Sequence, residues 1–421
     1  MKIHQYHTFS KNRATSLTGS TADLSYEETL VLDYFKVPGQ NNKISVSKLI
    51  HSLEKCGLKV YSDPRFYDML RRLEKISINY PPHHHGTLDD QISVLNLEKE
   101  DFKTCIMESF VLIVKALQSQ LVIPDWYTFC VEIEQIYHNC KLFKGGSLPK
   151  YIPQLARANT NHWGVSVCSV DGQRASWGDT KVPFCLQSIS KAFSYAIALD
   201  SLGPEEVHKY VGQEPSGRLF NEIALDYNDK PHNPMVNAGA MMVASLIRRD
   251  LSLSDRFDYV LKKYKAMAGG NEIGFSNQIF LSEKESADRN YALYYYMREY
   301  KCFPENSNIS NTLDFYFQVC AIEATCESLS VMAATLANGG VCPMTGEKVV
   351  SNEACRDTLS LMYSCGMYDY SGHFAFKVGL PAKSGISGGI IVVVPNLLGI
   401  CLYSPLLAEH GNSFRGIKFT N

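Results

Sequence analysis

Ser188 and Lys191 stand three apart in the run Leu186-Gln187-Ser188-Ile189-Ser190-Lys191. On a helix, that spacing puts both side chains on one face. A serine hydroxyl is a weak nucleophile at neutral pH and needs a group to take its proton, which a lysine can do only as the neutral amine. Bringing a lysine from about 10.4 to roughly 7–8 takes about 4 kcal/mol of bias against the ammonium. Burial or a neighbouring cation would supply it. Pro183 favours an extended approach, so the serine falls near the start of a helix running to Leu202, where free N–H groups and partial positive charge favour an oxyanion. Ser190 points elsewhere, and Ser194, a turn further in, is expected to bond back to a carbonyl. The spacing alone also arises by chance on exposed helices, so the pair needs company.

A second element, Lys383-Ser384-Gly385, opens the apolar run Ile390-Ile391-Val392-Val393-Val394. A Ser-x-x-Lys helix followed by Lys-Ser-Gly on a strand resembles the pairing in serine β-lactamases and penicillin-binding proteins. Gly385, Gly388 and Gly389 would let backbone approach a ligand closely. The N–H of Ile386 with that of Ser188 would form an oxyanion hole.

These groups need a scaffold. Gly389–Tyr403 is the most apolar stretch, but Pro395 and Asn396 break it, so it reads as two core strands joined by a turn and not as a membrane span. Trp163–Val170 is a third strand, closed by the hairpin turn Asp171-Gly172. Strands at both ends of this region, with apolar helices Ser188–Leu202 and Asn237–Arg248 between, predict an α+β domain whose antiparallel sheet is built from both chain ends. Before it, Tyr26 to about His138 repeats apolar residues at helical spacing, as in Leu30, Leu32, Tyr34, Phe35 and again in Ile106, Phe110, Ile113, Leu117. Asn42–Leu49 is echoed by Asp90–Leu97, each a short extended piece leading into a helix. The echo predicts paired helix-loop-helix units like EF-hands. Neither loop has the acidic alternation, central glycine and closing glutamate that calcium requires. Pro81-Pro82-His83-His84-His85-Gly86 reads as a linker, because consecutive residues in a proline-rich loop rarely converge on one ion. Lys144-Gly145-Gly146-Ser147 reads as a joint between domains.

With 421 residues, 45% hydrophobic, 20% charged and a formal net charge of -2, the chain has ordinary globular composition and no basic field for nucleic acid or an anionic membrane. Its 13 cysteines form no Cys-x-x-Cys pair, which points to reduced thiols rather than a disulfide framework or zinc site. The first 22 residues hold Lys2, Lys11, Arg13 and several Ser and Thr with no acid, a composition shared by mitochondrial transit segments and polar tails. Residues 1–25 are thus read as a tail or transit segment, 26–143 as an all-α EF-hand-like bundle, 144–150 as a linker and 151–421 as the catalytic domain, in a mitochondrial or cytoplasmic protein.

Four longer runs contain these elements: Gln187–Lys191, Lys230–Ala240, Ser282–Asn290 and Pro381–Gly385. In this order they resemble the glutaminase family, and the helical half resembles that of animal kidney-type members. The resemblance spans about Tyr26 to Gly416. It implies a serine β-lactamase-like fold and hydrolysis of L-glutamine to L-glutamate and ammonia with no metal or organic cofactor. It also implies a homo-oligomer, dimer or tetramer, with phosphate as a candidate activator. By position, Ser188 would be the acylated nucleophile, Lys191 its proton acceptor, Tyr368 a second acid/base group, Ile386 an oxyanion donor, and Tyr151 would close over the site. Asn237, Glu283, Asn290 and Tyr316 would hold the amino-acid end, Glu283 balancing the ammonium. That set speaks against a penicillin-directed hydrolase.

Two departures bear on function. In the Arg218–Leu225 segment, which the resemblance places at a subunit contact governing the phosphate response, Glu222-Ile223-Ala224 replaces the usual Lys-Leu-Phe. The resemblance also implies a C-terminal extension beyond Asn421, so sheet edge or core is expected to lie uncovered, with a non-catalytic co-assembling subunit as the rival reading.

Overall fold

A computed structural model describes residues 21–39, 43–78, 92, 94–150, 152–217 and 219–421. The N-terminal tail to residue 20, the His83–His85 run, Tyr151 and Arg218 lie outside them. The chain divides into two compact units, one from the described parts of Met1–Leu53 and Phe66–Gln118, the other from Glu54–Arg65 and Ser119–Asn421.

In the first unit the helices Tyr67–Ser77, Lys99–Ile106 and Phe110–Leu117 accompany the helix that begins at Val46. Two three-residue strands, β1 (Lys43–Ser45) and β2 (Asn96–Glu98), pair antiparallel with Ile44 opposite Leu97. The second extended piece lies at Asn96–Glu98, at the end of the echoed run Asp90–Leu97, where Leu97 is buried opposite Ile44. Tyr34, counted above with the apolar face, is exposed beside the buried Phe35.

The second unit contributes β3 (Gly164–Ser169), β4 (Arg174–Gly178), β5 (Phe184–Cys185), β6 (Ile273–Phe275), β7 (Ile322–Ala324), β8 (Ala382–Ser384), β9 (Gly389–Val394) and β10 (Leu398–Tyr403). Five of them form an antiparallel sheet in the order β4-β3-β10-β9-β8, and β5-β7-β6 form a smaller one. Both chain ends do build the main sheet. Its apolar strands alternate faces, which is why they read as unbroken runs. Ile391, Val393 and Cys401 point into a core shared with the central helices, while Ile390, Val392 and Leu402 point into a second core with Tyr137, Trp163 and Phe419. On the first face the Cys326–Ala337 helix lies so close to β10 that a Cβ on Gly399 would sit 2.3 Å from the Ala334 nitrogen. On the second, the Phe414–Thr420 helix brings Phe419 to 6.1 Å from Trp163. The expectation of an uncovered core is not met on this face.

The helix Trp126–Lys141 supplies Ile133 and Tyr137 to that second core and goes with the sheet. Residues 144–147 are packed in place. Ser147 exchanges two backbone hydrogen bonds of 2.9 Å with Leu407, and a Cβ on Gly146 would meet the Leu407 oxygen at 2.7 Å. All 13 cysteines are free thiols.

Candidate active site

The polypeptide enters the site through β5 and turns at Gln187–Ile189 before the Ser190–Leu202 helix begins. Gln187 has φ 49°, a left-handed conformation uncommon for a residue with a side chain. Such strain persists only where surroundings over-determine it. Here the Ser190 hydroxyl donates to the Gln187 oxygen at 2.7 Å, the Gln187 amide donates to Glu283 Oε2 at 3.1 Å, and the Ile189 N–H donates to the Leu186 oxygen at 3.0 Å. Gly385 presses on the same turn, where a Cβ would lie 2.6 Å from the Leu186 oxygen. The Lys-Ser-Gly element therefore packs directly against the Ser188 turn.

Ser188 and Lys191 are both nearly buried, at 8% and 3% exposure. The helix carrying Lys191 is buried on almost every side, so its amine is largely desolvated. Lys191 Nζ donates to Asn237 Oδ1 at 2.6 Å and stands 5.8 Å from the centre of the Phe220 ring. Burial lowers its pKa from 10.5 to about 8, partly opposed by the neighbouring Cys320 and Glu283. The required bias thus comes from desolvation. Asn237 begins a helix, Asn237–Leu246, in which every residue is buried. Its amide also donates to Asn290 Oδ1 at 3.2 Å, so it bridges Lys191 to Asn290.

Glu283 is buried at the end of the Asn277–Glu285 helix. Desolvation pushes its carboxyl up to about 7, against the pull of the Gln187 amide and Lys191. Tyr316 is buried on the Ile309–Cys320 helix. Tyr368 has φ 56° and packs with Ile386 in one apolar cluster. Its phenol makes no hydrogen bond of good geometry, although burial, the dominant influence, raises its pKa, and the Ser188 hydroxyl and Ile386 N–H are the groups that ease ionisation. The Ser194 expectation is corrected: its hydroxyl meets the Tyr264 hydroxyl at 3.1 Å, not a carbonyl of its own helix.

Eight of the nine residues assigned from sequence lie in this enclosed region or line it; Tyr151 is outside the described residues. Three neighbours were given no role. Gln187 joins the serine turn to Glu283. Lys383, fully buried, sits 4.7 Å over the Tyr368 ring and donates to the Ser384 oxygen at 2.8 Å; burial and then the charge of Lys191 push its pKa well down. Phe220 packs 4.7 Å from the Tyr368 ring. Gln187 and Lys383 were visible inside the quoted motifs, whereas nothing in the sequence placed Phe220 here.

Residues 146–421 match the glutaminase family model and residues 27–124 an EF-hand domain model. A glutaminase from a Nostoc species is 44% identical over 287 residues, covering 68% of this chain and 85% of its own length. The chain belongs to the glutaminase family. Putative glutaminase 2 of Caenorhabditis elegans is 54% identical over 93% of the chain, and the mitochondrial liver isoform of rat is 48% identical over 92%. The chain spans 64% and 62% of the length of these two relatives. Among solved structures, a probable glutaminase superposes with a TM-score of 0.67 at 34% identity, covering 70% of this chain and 95% of its own. A structure described as Mglu in its glutamate form gives 0.64 at 35% identity, covering 68% and 66%. This glutaminase domain has a β-lactamase-like fold and follows an EF-hand-like helical region.

Proposed function

We propose that the chain hydrolyses L-glutamine to L-glutamate and ammonia through an acyl-enzyme on Ser188. The observation that carries this reading is a buried lysine, one helical turn beyond the serine, whose amine is held near neutrality by desolvation. Ser188 attacks the side-chain amide carbon while its proton passes to the neutral Lys191 amine. The backbone N–H groups of Ser188 and Ile386 stabilise the oxyanion. As the tetrahedral species collapses, the C–N bond breaks, a proton delivered by Lys191 or Tyr368 leaves with the nitrogen as ammonia, and a γ-glutamyl ester remains. Water then attacks the ester, its proton goes to the same amine, and glutamate departs with Ser188 restored. No metal or organic cofactor takes part.

The amino-acid end needs one negative partner for its ammonium and neutral donors for its carboxylate, which suits Glu283 with Asn237, Asn290 and Tyr316. Replacing Ser188 with alanine should abolish ammonia release from glutamine in the purified protein. Continued turnover refutes the mechanism, and acylation by a penicillin without ammonia release would favour a different hydrolase of this fold.

Assembly as a homo-oligomer is supported by Leu219 and Ile223, exposed at 57% and 41% in the segment the family resemblance places at a subunit contact. Native mass spectrometry should give a dimer or tetramer, and the same ammonia assay with and without phosphate reads activation. A mitochondrial location, like that in the name of the rat relative, or a cytoplasmic one fits this reading.

A further inference from the structure

Within the second unit the strap Glu54–Arg65 is fastened to the β3–β4 hairpin by buried and half-buried hydrogen bonds. Arg174 N–H donates to the Gly57 oxygen at 2.8 Å, and the Gln173 amide donates to the Cys56 and Ile123 oxygens, each at 2.9 Å. Arg65 pairs with the fully buried Asp63 at 2.6 Å and donates to the Asp171 oxygen at 2.7 Å. Gly57, at φ 87°, lies on the Trp126 ring; a Cβ there would be 2.4 Å from the ring carbon Cε2.

A cavity of about 320 Å³ opens between this strap, Trp126 and β4, lined by Gly57, Lys59, Tyr61, Ser62, Trp126 and Arg174. Ligand pockets begin at about 300 Å³, and a water takes about 30 Å³, so the space suits a small organic molecule better than a lone inorganic ion. Its charges are arranged by depth. Lys59 and Arg174 are half-buried, whereas Glu54, which also lines it, is exposed. Arg174 Nη2 is engaged by the Ser62 oxygen at 3.2 Å and hydroxyl at 3.3 Å, but its buried Nε makes no hydrogen bond. Burial lowers the Lys59 pKa, opposed by Glu327, which itself accepts from the Thr180 hydroxyl at 3.0 Å, and reinforced by repulsion from Arg174 and Lys181. Of the three charged residues that line the pocket, the two half-buried ones are Lys59 and Arg174, and the exposed one is Glu54.

We propose that this cavity is a second ligand site, separate from the Ser188 region, that takes a small carboxylate with a planar apolar body. The ring body would lie with Trp126 and Tyr61, and the carboxylate would meet Arg174 and Lys59, as guanidinium and carboxylate match in shape. The rigid strap means that the site is formed before the ligand arrives.

The test uses the full chain and 2-naphthoate, with 2-naphthamide and 2-naphthylammonium as neutral and cationic controls of equal size, followed by isothermal titration and saturation-transfer NMR. The naphthoate should bind saturably and at least about tenfold more tightly than either control. Arg174→Met and Lys59→Met should each weaken it about tenfold, and Ser188→Ala should leave it unchanged. Because Arg174 also ties the strap, thermal unfolding is measured alongside, and Lys59→Met carries the result if Arg174→Met is unfolded. Equal binding of the amide, unchanged binding by folded Lys59→Met, or displacement of naphthoate by glutamate each overturns the proposal. Since this site shares no residue with the Ser188 region, an inactive enzyme that still binds naphthoate would refute the hydrolase reading alone.

Discussion

Replacing Lys191 with methionine separates what the site costs from what it does. With its pKa moved from 10.5 to about 8, the buried amine lowers folded-state stability by about 3 kcal/mol at pH 7, since each pH unit of difference is worth about 1.4 kcal/mol. Methionine removes that cost. It also leaves Asn237 Oδ1 without the 2.6 Å bond it accepts, a loss of about 1–3 kcal/mol. The net change at pH 7 is therefore between about zero and 2 kcal/mol in favour of the variant, while activity is lost. The pH dependence is sharper. A lysine with a lowered folded pKa binds fewer protons folded than unfolded between the two values, so stability rises with pH in that window. Wild type should gain about 2.5 kcal/mol on the variant between pH 7 and pH 10. Urea unfolding of both proteins at each pH measures this, and the raised thiols and phenols common to both cancel in the difference. In parallel, kcat/KM of wild type should climb about fivefold from pH 7 to pH 8 and level above it, with protonation of Glu283 steepening the fall below pH 7. A stability gap that stays flat from pH 7 to pH 10 would show that Lys191 is not held near neutrality, and the proton-acceptor role would fall with it.

Other outcomes follow from the same geometry. Glu283→Gln should raise KM for glutamine by about 10- to 100-fold, the range for a lost charged hydrogen bond; normal substrate binding would remove its role. Wild-type KM should rise as pH falls below about 7, because protonating the Glu283 carboxyl removes the ammonium's partner. Tyr368→Phe should cut kcat by about 10²–10⁴-fold with little change in KM, as read in steady-state ammonia release. Gly385→Ala should displace the Ser188 turn, lowering kcat and melting temperature together, because its Cβ would strike a backbone oxygen at 2.6 Å and overpacking of this kind costs about 1–3 kcal/mol.

The strands β3, β9 and β10 and the Ser190–Leu202 and Asn237–Leu246 helices were legible because apolar periodicity and turn residues are local signals. The echo of Asn42–Leu49 in Asp90–Leu97 did not fix the position of β2, because pairing is settled by which residues bury together, here Leu97 with Ile44. The packing at 144–147 was not legible for a related reason. Glycines there permit close packing on Leu407 and Phe414 as readily as they permit freedom.

By itself, the sequence determined the candidate nucleophile, its lysine, the Lys-Ser-Gly strand and the polar set around Glu283, since these are matters of residue type and order. Only the tertiary structure decided that Lys191 is buried deeply enough to lower its pKa, that Gln187 bridges the serine turn to Glu283, and that Phe220 and Lys383 flank Tyr368. The reason is physical: a pKa depends on everything that surrounds a group in space, and those surroundings come from helices and strands far apart in the chain.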